Sequence, residues 1–235
     1  MEIVAAGAGV TGPHGTLLEP TSLRASSGEL RLVSGPPRSG RTALALLLAG
    51  RLRPDSGTVL RNGRRAPAEL RGTVAVVDAP GVTEPEGSVE LREVVAEGLG
   101  IAGRRFGGQA VRDWLAERGL RQQANLRFER VPPHCRTRLL LDLAREARGV
   151  EALVLDCPDR HGGEAISWYG AAQEAASQGY AVVALCSPHT AIELDHIPAR
   201  IGTDNDLPPS PRRTDQPTDS DLSTDSVANV DPGSF

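Results

Sequence analysis

The sequence predicts an α/β fold built on a mostly parallel central sheet. Three observations carry that prediction. Short apolar runs such as "TVAVV" (73–77), "EALVLDCP" (151–158) and "YAVVALC" (180–186) have the composition of strands buried on both faces. They alternate with longer stretches of helical periodicity, which is the pattern of a parallel sheet covered by helices. One run, "ELRLVS" (29–34), passes through a Gly-rich loop straight into an Ala/Leu-rich helix at 41–52.

The elements follow in order. "EIVAAGAGV" and "TLLEPTSLRASSGELRLVSG" read as short strands broken by turns, with Gly28 separating two of them. "RTALALLLAGRL" has no β-branched residue after Thr42 and is a strong helix former. "RPDSGTVLRNG" (53–63) reads as turn, strand, turn. "GTVAVVD" (72–78) is a buried strand. Helical spacing covers 89–101 and 109–120; in the second, Val111, Trp114, Leu115 and Leu120 share a face. A helix is predicted over 133–149, a central strand over 151–158, a helix over 162–179 closed by Gly179, and a last strand over 180–186. The stretch 203–235 is rich in Asp, Ser, Thr and Pro and nearly empty of large apolar groups, so it is expected to be disordered.

Composition narrows the class. A chain of 235 residues with 39% hydrophobic residues suits one globular domain with an appendage. The tail from 203 holds seven Asp against two Arg, a net of −5, so the body carries +1 of the chain's net −4. Such a balance argues against a dedicated nucleic-acid binder. All 26 basic residues are arginine. Cys135, Cys157 and Cys186 are odd in number and fit a reducing compartment. The first residues have neither the basic flank nor the apolar run of a signal peptide. No window reaches the roughly 18–20 apolar residues of a membrane span, so a membrane role is expected to come through a partner.

The motif at 35–42, "GPPRSGRT", has the spacing of a phosphate-binding P-loop, G-x-x-x-x-G-K-[ST], in the strand–loop–helix context that motif needs. Its lysine is replaced by Arg41, a planar fork in place of a point charge. The block "LLEPTSLRASSGELRLVSGPPRSGRTALALLLAGRLRPDSGTVLRNG" (17–63) resembles the first half of the ATP-binding subunits of ABC transporters. "EALVLDCPDR" resembles that family's second phosphate motif. The resemblance covers about 1–202. It implies an ABC-type P-loop fold with an N-terminal antiparallel β part and a small helical subdomain at about 79–148, ahead of the acidic tail at 203–235.

Residue by residue, the resemblance implies ATP at Gly35, Arg38, Ser39, Gly40, Arg41 and Thr42, with Asp78 at the glutamine-loop position. It implies Mg²⁺ at Thr42 and Asp156. The catalytic machinery departs from the family. Cys157 stands at the glutamate that polarises water, and a neutral thiol is a poor base. "VPPHC" (131–135) replaces the signature loop, with two prolines where N–H donors are needed. Ser187 or, two residues later, His189 stands at the switch position. His14 is the one ring near the adenine position, or it is a surface-turn residue. Cys157, His161, Cys186 and His189 gather near strand ends and have tolerable zinc spacing, although buried cysteines are also simply small core residues.

The family resemblance implies a cytoplasmic subunit at the inner face of the cell membrane. It would dock a separate permease through about 78–120 and pair with a second ABC-type subunit, as a homodimer or heterodimer, with weak or absent hydrolysis. A non-catalytic nucleotide sensor or scaffold stands beside this reading. A small-molecule kinase with "GRRFGG" (103–108) as its lid is the third.

Overall fold

The computed structural model describes residues 1–205. Two sheets organise them. Strands β1 (Glu2–Gly12), β2 (Gly15–Ser26) and β4 (Ser56–Arg61) form an antiparallel sheet in the order β2-β1-β4. Strands β3 (Leu30–Ser34), β5 (Val74–Val77), β6 (Ala152–Asp156), β7 (Ala181–Cys186) and β8 (Ala199–Arg200) form a sheet in the order β5-β6-β7-β3-β8, every pair parallel.

The strand sequences explain why both faces of the parallel sheet are covered. Alternate residues point to opposite faces. Leu153, Leu155, Val182 and Ala184 pack into a core with helices α3 (Leu91–Ile101), α4 (Gly108–Glu117), α5 (Pro133–Glu146) and α6 (Ala165–Ser177). Their neighbours Ala152, Val154, Val183 and Leu185 pack into a second core with α1 (Arg41–Leu48) and the antiparallel sheet. A strand apolar on every residue is the consequence, as the sequence indicates. Two short helices, α2 (Pro67–Thr73) and α7 (Pro188–Glu193), lie outside the predicted set.

All parallel strands end on one side of the sheet, where ligands of open α/β folds bind. That side gathers the loop after β3, Asp78 after β5, Asp156 at the end of β6 and Ser187 after β7. The body continues past residue 202: Thr203 accepts from the Ser22 N–H at 3.1 Å, and Asn205 donates to the Ser22 carbonyl through its side chain at 2.8 Å. From residue 206 the acidic tail lies outside the described residues.

Candidate nucleotide site

The loop 35–42 is anchored at both ends. Gly35 donates its N–H to the Cys186 carbonyl at 3.1 Å, tying the loop to β7. Gly40 caps α1 with φ +90°, and a Cβ there would lie 2.1 Å from the Leu17 carbonyl oxygen on β2. Only glycine meets both demands. Arg38, exposed at the crown, also has positive φ (+66°), an uncommon conformation for a side chain of its size. Arg41 and Thr42 open α1, whose N-terminal N–H groups favour an anion.

Asp156 is fully buried. Its Oδ1 accepts the Cys157 thiol at 3.0 Å, while its Oδ2 is buried with no partner. A buried carboxylate oxygen without a donor is costly unless a cation or bound water completes it. Ser39 Oγ and Asp159 Oδ1 are likewise buried and unpartnered. These orphaned oxygens fit a bound cation or its water; by the family resemblance, Thr42 and Asp156 are the residues that would hold Mg²⁺.

Cys157 sits in the left-handed conformation (φ +56°) at the end of β6 and is buried. Burial, then the adjacent Asp156 charge, push its thiol well above the usual range. It therefore serves as a neutral donor to Asp156, and base chemistry at neutral pH is closed to it. Burial likewise pushes the Cys186 thiol up to about 12.

The switch position is engaged in local capping. Ser187 accepts the Thr190 N–H at 3.2 Å and so caps α7, while its own N–H donates to Asp159 Oδ2 at 2.8 Å. Asp159 Oδ2 also accepts the Thr190 hydroxyl at 2.8 Å. Asp159 belongs to no motif that the sequence displays, because its partners Ser187 and Thr190 lie 28 and 31 residues away. His189 is exposed on the first turn of α7, and His14 is exposed in the β1–β2 turn. "VPPHC" is the lead into α5, with Pro132 as its cap and Pro133 at the first helical position, where a missing N–H costs nothing.

Asp78 is buried, with φ +62°. Both its oxygens hold donors: Arg136 at 2.8 and 3.1 Å, His161 Nε2 at 2.9 Å and Arg160 at 3.3 Å. Burial raises its carboxyl, but the His161 hydrogen bond and then the Arg136 bonds and charge outweigh that and hold it at about 2. The four-residue zinc set is not assembled. His161 turns to Asp78, and among the described residues the one group with metal-ligand proximity is Asp78, Glu84 and His161. Arg136 and Arg160 already neutralise that group. Arg104 of "GRRFGG" donates to the Glu146 carbonyl at 2.9 Å at the far end of α5, so this turn is not a lid over the P-loop.

Known proteins share this architecture. A putative ABC transporter ATP-binding protein from Pyrococcus furiosus matches with TM-score 0.61 at 15% identity, over 87% of this chain and 97% of its own. The structure of cbiO1 from Clostridium perfringens, part of the ABC transporter complex cbiONQ, matches with TM-score 0.56 at 14% identity, over 79% and 77%. The chain has the fold of an ABC ATP-binding domain. In sequence, the chain is 46% identical over 48 residues to the cytochrome c biogenesis ATP-binding export protein CcmA of Pseudomonas fluorescens, 20% of this chain and 23% of the relative. It is 34% identical over 110 residues to the hemin import ATP-binding protein HmuV of Rhodopseudomonas palustris, 45% and 41%. The matched stretches thus span less than half the length of either curated relative. No protein-family model matches the chain.

Proposed function

We propose that this ABC domain is the ATP-binding subunit of a transport system, lying at the cytoplasmic face of the membrane and docked on a separate permease. The functional unit is 1–202 together with residues 203–205, which pair with Ser22, and 79–148 is its helical subdomain. ATP sits at Gly35, Arg38, Ser39, Gly40, Arg41 and Thr42, and Mg²⁺ at Thr42 and Asp156. The single observation that carries this is the unpartnered, fully buried Asp156 oxygen at the end of β6. Sequence likeness to two ATP-binding proteins supports it; their names point in opposite directions, export and import, and neither direction is carried over. Pairing with a permease is supported by the neighbour described as part of a transporter complex. A second ABC-type subunit, identical or not, is expected to complete the site.

Hydrolysis is proposed to be slow or absent. A positioned general base contributes about 10²–10⁴-fold, and Cys157 supplies none. Asp78, spent on arginines, supports the second reading, a nucleotide-binding scaffold without turnover.

The permease surface is a groove of about 510 Å³ at the β5 edge, where Val82, Ile101 and Ala102 stand among charged rim residues that include Arg51, Arg71, Glu86 and Glu97. Val82 and Ile101 are 52% and 80% exposed there, which fits an apolar partner segment.

The test is titration with ATP, with and without Mg²⁺, beside phosphate release. Micromolar, Mg²⁺-dependent binding weakened by Thr42→Ala, with little release, is the expected result. Steady release abolished by Asp156→Asn would mean that the site works despite Cys157. Absence of binding would leave the loop as fold alone.

A further inference from the structure

We infer that Asp78 is the keystone of a buried charge lock that fixes the helical segment α3–α5 to the parallel sheet, so that the two move as one body. The inference stands apart from whether ATP binds.

Three stretches of chain meet at this carboxylate. Asp78 ends β5. Arg136, on the first turn of α5 and 58 residues away, grips it with Nε and Nη2, and both side chains are 6% exposed. Arg160, in the turn after β6, bonds Asp78 Oδ1 at 3.3 Å and Glu84 Oε1 at 3.1 Å, and donates to the Asp156 carbonyl at 2.6 Å. His161, 83 residues from Asp78, closes on Oδ2. Glu84, in the loop after β5, also accepts from Arg136 at 3.3 Å. The Arg136 guanidinium lies 4.3 Å over the Phe128 ring, which is fully buried. Two carboxylates, Asp78 and Glu84, face two guanidiniums, Arg136 and Arg160, so the charges of these four side chains balance.

The physics separates orientation from stability. A buried ion pair repays its desolvation only in good geometry, and an apolar replacement of similar volume is often no less stable. Moving one partner away is different, because it strands a charge in the interior. Rotating α5 about the sheet would strand Arg136 and Asp78 together. Lying at the end of β5, the lock therefore holds the α5 start (131–135) and the groove wall in one arrangement. Asp78 also accepts φ +62°, strain that persists where surroundings over-determine a residue.

The experiment is hydrogen exchange on the full chain without nucleotide, in wild type, Asp78→Asn and the paired variant Asp78→Leu/Arg136→Met. Asp78→Asn is expected to speed exchange in 79–101 and the first turns of α5 by about tenfold or more, with β3, β6 and β7 unchanged. The paired variant is expected to regain the wild-type melting temperature while the same segments stay fast. Unchanged exchange in 79–146, or a rise spread evenly over the sheet, would overturn the lock. Should Asp78→Asn not fold, His161→Ala removes one donor without stranding a charge. A smaller rise confined to the same segments supports the inference, and none refutes it.

Discussion

Two acidic residues at the ends of neighbouring strands show how far environment decides chemistry. Asp156 has a thiol donor on one oxygen and nothing on the other, which leaves it open to a cation. Asp78 has donors on both oxygens and is closed to one. Motif alignment places both beside the nucleotide, because residue type and strand position are all that a sequence displays. The Asp78 partners lie 58 and 83 residues away, and no local pattern announces them. Its depressed carboxyl makes a pH prediction. A group whose folded value is about 2, against 3.8 unfolded, stabilises the fold fully above about pH 4 and loses that contribution as pH falls toward 2. The contribution is roughly 2 kcal/mol, because each tenfold change in proton affinity is worth about 1.4 kcal/mol. Urea unfolding of wild type should therefore weaken between pH 4 and 2 by more than that of the paired variant Asp78→Leu/Arg136→Met. Equal slopes across that window would remove Asp78 as the cause.

At the scale of elements, the apolar strands and long helices are legible because their periodicity is strong and uninterrupted. Helix α2 escapes sequence reading because its seven residues, "PAELRGT", hold a Pro and a Gly and bury only Leu70. Helix α7 escapes it because "SPHTAIE" carries its cap in Ser187 but the helix runs to only six residues. The edge strand β5 and α3 frame the groove, and their surface makes the next prediction. Ile101 and Val82 are exposed, so Ile101→Glu with Val82→Glu should leave the melting temperature nearly unchanged, as surface changes shift stability by about ±0.5 kcal/mol. The same variant should lose co-sedimentation with membranes from the cells that make this chain, if the proposed permease docks there. Retained co-sedimentation with an unchanged melting temperature would move the docking surface elsewhere.

For the molecule as a whole, the question is what joins the antiparallel sheet to the parallel one around the P-loop. Residues 199–205 do so. β8 pairs with Val33 and Ser34 of β3, and Ile201 donates to the Ser34 carbonyl at 3.0 Å. Gly202 then donates to Thr21 Oγ1 at 2.9 Å, and Thr203 and Asn205 pair with Ser22, all on β2. The Ile201 side chain lies directly beneath the loop: a Cβ on Gly35 would come within 2.8 Å of its Cδ1. A chain ending after Asn205 keeps every one of these contacts and should melt where the full chain melts. A chain ending after Pro198 exposes the β3 edge, removes the tie to β2 and takes Ile201 from under the phosphate loop. It should melt several degrees lower, since about 1 kcal/mol shifts the midpoint of a domain this size by roughly 2–4 °C. It should also bind Mg²⁺–ATP more weakly than the chain ending after Asn205. Calorimetry and the ATP titration on the two truncations measure both effects. If both fall together, the strap supports fold and loop as one structure. If only the melting temperature falls, the P-loop is held by β3, β7 and Gly40 alone, and the Ile201 contact carries no functional weight.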